Sequence, residues 1–316
     1  MVTGMRWPGQ PKLWITLACL AFIAVALVQQ AGQLRQQSLE PMGWWWLALG
    51  VGLSWISILV NAWSWRVLLT WLRHLPDDVA VVPLFVRTNL LKYLPGGIWH
   101  LVERLRVLRP EIGGGPALAA VIFDPLLIAS AAVLMVLAGG WQNGLLLLAP
   151  IPSLLMLPRW REPILCRLER SKATQLQAAG EAPLDAEPLG SGRSGYPWIP
   201  LVWQLGFVLC RFAGFFCCVL AFGVNQPHVL TWLAAFSLAY AVGLVVPGAP
   251  GGLGVFETTL LLRLGGSVAE APLLAVVLSY RVISTLADVL AGGSLAADRM
   301  LVQTTCAGQV KGDAGT

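Results

Sequence analysis

Two apolar stretches of this chain are broken by the same residues in the same order. Leu94-Pro95-Gly96-Gly97-Ile98 precedes Glu103, and Ala249-Pro250-Gly251-Gly252-Leu253 precedes Glu257. Proline cannot continue a helix, and glycine removes the side chains that would stabilise one. Each break follows an apolar run and is itself followed, about twenty residues later, by another. A broken backbone at membrane depth is tolerated only where protein buries it or where it lines a cavity. The matching flanks predict two copies of one unit, each with an interrupted hydrophobic hairpin between full spans. Paired interruptions of this kind point to the binding site of a transporter.

Composition agrees with a membrane setting. Of 316 residues, 57% are hydrophobic and 12% charged, which excludes an ordinary soluble domain. The net charge of +5 does not imply nucleic acid, because the arginines and lysines cluster in short segments beside spans. The six cysteines form no C-x-x-C pair and the three histidines lie far apart, so no metal and no cofactor is expected. There is no P-loop motif.

The expected fold is an all-α polytopic integral membrane protein, with about six transmembrane helices plus two re-entrant helical hairpins arranged as an inverted repeat. Residues 1–42 form an N-terminal segment with a first span (Leu13 to Val28), retained rather than cleaved as a signal peptide. Residues 43–157 form the first repeat, with spans at 43–62 and 117–137, a re-entrant hairpin at 79–108, and a weak additional span at 145–157. Residues 158–199 are a polar linker whose basic first part places it in the cytoplasm. Residues 200–297 form the second repeat, with spans at 201–222 and 273–291 around a re-entrant 229–264, and 298–316 is a cytoplasmic tail. Charge bias places both termini in the cytoplasm, and the cell membrane is the expected location.

Several polar residues stand inside these apolar runs. Ser54, Ser57, Asn61 and Ser64 make a stripe at helical spacing. Gln204 and Arg211 share a face of their span, where an unpaired arginine costs roughly 2.5–3.5 kcal/mol on insertion scales. Arg281, Ser284, Thr285 and Asp288 share a face of the last span, and the two charges are too far apart to pair with each other. Each should therefore find a partner on another helix. Arg87 and Lys92 either snorkel to the interface or meet lipid phosphate.

The chain resembles the transmembrane, flippase-like region of lysylphosphatidylglycerol synthases and related stand-alone membrane proteins. The resemblance rests on Arg66-Val67-Leu68-Leu69, on Asn89 with Leu94-Pro95-Gly96-Gly97, on Pro250-Gly251-Gly252-Leu253-Gly254 with Glu257, and on Tyr280-Arg281. It covers residues 13 to 295. It stops short of the soluble aminoacyl-transferase domain of the full-length synthases, so lipid lysylation is not expected and the chain reads as a non-enzyme. Phe123-Asp124-Pro125 departs from the Glu-Arg frequent in relatives, Trp99 replaces a usual glycine, and Arg104 lies near the family's arginine.

The resemblance implies translocation or binding of an anionic phospholipid or lipid-linked substrate between leaflets. Gly251, Gly252 and Gly254 would bring backbone N–H groups to phosphate, Arg211 and Arg281 would supply charge, and Glu257 would orient an arginine or carry a proton. Asn89, Pro95, Gly96, Gly97 and Arg104 complete the expected substrate-binding set. The rival expectations are a buried Glu257–Arg281 pair that only holds helices together, a subunit that presents lipid without moving it, and an enzyme acting on lipid-linked sugars.

Overall fold

A computed structural model describes residues 41–94, 98–139, 195–224, 227–245 and 254–313, with scattered single positions between 151 and 167. The expected first span, most of the weak span at 145–157 and most of the linker lie outside the described residues, as do Pro95–Gly97 and Gly251 to Leu253.

The described residues are helical. Helix α1 is Pro41–Trp71; α2 is Val81–Asn89, prolonged by a 3-10 turn at Leu90–Tyr93; α3 is Trp99–Ile112; and α4 is Gly114–Val136. The second half repeats the order with α5 (Trp198–Ala221), α6 (Val229–Val245), α7 (Val255–Leu264) and α8 (Glu270–Asp313). Among the described residues, four helices, α1, α4, α5 and the Glu270–Ser294 part of α8, are long and apolar enough to cross a membrane. At about 1.5 Å per residue, α2, α3 and α7 are each too short to cross about 30 Å of hydrocarbon. The protein is an integral membrane protein by these helices.

Packing is symmetric under exchange of the halves. The opening helices α1 and α5 lie against each other. The closing helix of each half packs on the helix that precedes the other half's Pro-Gly-Gly break, α4 on α6 and α8 on α2. It also packs on the other half's opening helix, α4 on α5 and α8 on α1.

Side-chain contacts give the direction of the central pair. Asn61 meets Gln204, whereas Gly50 and Ser54 meet Gly214. Contacts that rise along α1 fall along α5, so the two opening helices run antiparallel. That is the relation an inverted repeat requires. The seam is tight: a Cβ added at Gly214 would lie 2.5 Å from Ser54 Oγ and 3.2 Å from the Gly50 carbonyl oxygen. Small residues let membrane helices approach in this way, with dispersion replacing the hydrophobic effect that lipid does not supply. The serine stripe of α1 faces inward, with Ser54, Ser57 and Ser64 all buried.

Exposed tryptophans mark the two membrane surfaces. Trp44 and Trp45 are exposed at one end of α1, and Trp63, stacked by Arg66, is exposed near the other. Trp45 and Trp63 are roughly 18 residues apart, or about 27 Å of helix, which matches the hydrocarbon core. Because α5 is antiparallel, its exposed Trp198 and Trp203 fall at the Trp63 end. Arg211 lies opposite the Ser54 region of α1, halfway between the two aromatic belts.

Candidate functional site

Each half contains an ion pair between the helix that follows its Pro-Gly-Gly break and its closing helix, and the polarity is reversed between the halves. In the first half the cation is on the helix after the break: Arg104 of α3 faces Asp124 of α4, with Nη1 3.9 Å from Oδ2. In the second half the anion is there: Arg281 Nε of α8 donates to Glu257 Oε1 of α7 at 2.6 Å.

The first pair is embedded in a wider network. Arg104 Nε donates to Thr88 Oγ1 at 3.0 Å, and its guanidinium carbon lies 3.6 Å from the centre of the Phe85 ring. Gln204 Nε2 reaches across from α5 and donates to Asp124 Oδ1 at 2.7 Å and to Asn61 Oδ1 at 3.3 Å. Arg104, Asp124 and Gln204 are all buried. A buried carboxylate and a buried guanidinium each survive in an apolar interior only with such partners.

The second pair is built from the break in the chain. Gly254 has φ +84°, a left-handed conformation that glycine adopts without a Cβ penalty, and it caps α7. Its N–H donates to Glu257 Oε2 at 2.7 Å, so the carboxylate ties the cap with one oxygen and Arg281 with the other. Helix α7 begins at Val255, directly after this glycine. One sequence expectation changes here. Gly254 does not offer its N–H to a phosphate, because Glu257 already uses it. An aromatic cluster supports this pair: Phe215, Phe236, Phe256 and Tyr280 come one each from α5, α6, α7 and α8, with ring centroids 5.0–6.4 Å apart.

A third cluster joins the halves. Asp288 of α8 is buried and accepts hydrogen bonds from Asn89 Nδ2 at 2.7 Å and Tyr93 Oη at 2.6 Å. Asn89 donates to Oδ1, while Lys92 Nζ lies 2.7 Å from Oδ2, the oxygen that also accepts from Tyr93. The last span's two charges thus find partners on different helices, as their spacing required. The structure gives Lys92 a partner that the sequence did not indicate, the Asp288 carboxylate.

Arg211 is the exception to this pairing. It is 6% exposed, yet its Nε and Nη1 have no hydrogen-bond partner. Its electrostatic neighbours are Tyr280, Asp288, Tyr240 and Tyr93, contributed by α8, α6 and the turn after α2. The Tyr240 hydroxyl is within hydrogen-bonding reach. A mid-membrane guanidinium with unmet donors, ringed by phenolic hydroxyls, is suited to an oxyanion.

Of the residues predicted from sequence, Asn89 bonds Asp288, which is also an electrostatic neighbour of Arg211. The structure places Arg104 in the first ion pair and Glu257 and Arg281 in the second. Tyr93 and Tyr240 escaped the sequence reading. The spacing Asn89, Lys92, Tyr93 puts three polar residues on one helical face and could have signalled the first of them.

The arrangement defines a polytopic helical membrane protein of two related halves enclosing a buried charged centre. The chain belongs to the family described as the lysylphosphatidylglycerol synthase TM region, whose model matches residues 12–292. A comparison with curated proteins gives no match.

Proposed function

We propose that this chain binds the anionic headgroup of a membrane lipid at Arg211 and carries it between leaflets, without enzymatic chemistry. The observation that supports this reading is the buried guanidinium with two unpartnered nitrogens at mid-membrane. Charges inside membranes are functional by default, and they are expected to be paired when they serve only structure. Every other described charge of the buried core has a partner. Membership of the family is consistent with a role in lipid biology. The two Gly/Pro-broken hairpins read as re-entrant segments that meet around the same centre, the plan in which one half rocks against the other. Among the described residues, Asp124, Asp288 and Glu257 are each paired with a cation.

The test separates function from stability. An unpaired buried charge costs folding energy, so Arg211→Met should raise the melting temperature of the purified protein. The same variant should reduce movement of fluorescent phosphatidylglycerol across reconstituted vesicles by about tenfold or more. Unchanged lipid movement would remove Arg211 from the site. Binding without movement by the wild type would leave lipid presentation as the function.

A further inference from the structure

The charges in and around the core do not cancel: Arg104, Asp124, Arg211 and Asp288 are buried, and Lys92, Glu257 and Arg281 are partly buried beside them. Among the described residues, Lys92, Arg104, Arg211 and Arg281 are set against Asp124, Asp288 and Glu257. Arg104 is matched by Asp124 and Arg281 by Glu257. At the centre Lys92 is matched by Asp288, which leaves the single positive charge of Arg211. Lys92 and Arg211 are themselves electrostatic neighbours. Without Asp288 the centre would hold two adjacent cations.

A phosphodiester carries one negative charge, whereas a phosphomonoester carries about −1.5 to −2 at pH 7. Burial makes the difference matter, because an excess charge of either sign is poorly solvated in an apolar interior. We propose that Asp288 determines which headgroups the site accepts: by cancelling Lys92 it restricts the site to singly charged phosphodiester lipids and rejects monoester dianions. This rests on the reading of Arg211 as the headgroup anchor. Asp288 acts as a positioning and charge-setting residue, touching Lys92, Asn89 and Tyr93.

The charge count makes a different forecast for each variant. Thermal stabilisation of the full-length purified protein is measured with dihexanoyl phosphatidylglycerol and dihexanoyl phosphatidic acid at pH 8.5, where the monoester is close to its dianion. Wild type should prefer the diester. Asp288→Asn should shift the ratio of apparent affinities toward the monoester by about tenfold or more. Lys92→Gln with Asp288→Asn restores a count of one and should return the preference to the diester. Lys92→Gln alone should weaken both lipids. A ratio in Asp288→Asn equal to that of wild type overturns the proposal. Should Asp288→Asn not fold, undiminished diester affinity in Lys92→Gln overturns it instead. Dimethyl phosphate carries the same charge without acyl chains, and stabilisation by it equal to that by the diester lipid would overturn the lipid part. If Arg211→Met binds the diester as well as wild type does, the anchor reading has failed. If Arg211→Met loses binding while Asp288→Asn keeps the wild-type ratio, only the charge rule has failed.

Discussion

Glu257 does two jobs with two oxygens, holding the Gly254 N–H at 2.7 Å and Arg281 at 2.6 Å. Removing its charge takes the carboxylate away from an arginine that is largely out of solvent. Glu257→Gln and Arg281→Gln should each lower stability, by about 3–5 kcal/mol if the remaining charge stays dry. Glu257→Leu combined with Arg281→Met should recover much of that loss, because two apolar groups of similar size need no partner. Chemical denaturation of the purified variants measures both effects. A double variant as unstable as the singles would show that the Gly254 cap, rather than the ion pair, dominates. At this scale the sequence was informative about which residues are unusual and poor on whom they meet. An arginine or aspartate in an apolar span is conspicuous on its own, so Arg211, Arg281 and Asp288 could be singled out. Their partners lie far along the chain, as with Asn89 and Asp288, 199 positions apart. No periodicity encodes a contact at that separation.

The α1–α5 seam is where the elements are most exactingly fitted. Gly214→Ala places a methyl 2.5 Å from Ser54 Oγ and 3.2 Å from a backbone oxygen, so one helix must shift. Overpacking of this kind costs about 1–3 kcal/mol. Gly52 is the matched control, with nothing within 4 Å of an added Cβ. Gly52→Ala should be neutral or stabilising by up to about 1 kcal/mol through helix propensity. Thermal melts in one detergent compare the two, and equal shifts would refute the seam. The helices themselves were legible because length and apolarity suffice to find them, and the observed α4 and α5 begin within three residues of the expected spans. Those two also end within one residue of expectation, at Val136 and Ala221, whereas α1 does not. Helix α1 runs on to Trp71, past the expected boundary at Ala62, because Trp65, Leu68 and Leu69 are buried against protein and need no lipid.

For the molecule as a whole, antiparallel opening helices require their starting ends to emerge on opposite sides. In a background lacking the six native cysteines, Met42→Cys should react with an impermeant maleimide in intact cells. Gly195→Cys should react only after permeabilisation, given the positive charge of the preceding linker. Labelling of both from one side would refute the inversion. Two copies of a Pro-Gly-Gly break were enough to suggest the repeat. The exchange of partners between halves was not legible, since it depends on which surfaces meet after insertion. That exchange has a consequence for biosynthesis. Asp124 enters the bilayer 80 residues ahead of Gln204, and Asn89 leaves the ribosome 199 residues ahead of Asp288. At about 5–20 residues per second, the second interval is about 10–40 s. For that time the nascent first half holds polar groups in the membrane whose partners have not yet been translated. Those groups must be sheltered by the insertion machinery, or by water held in its lateral opening, until the last helix arrives and closes the structure.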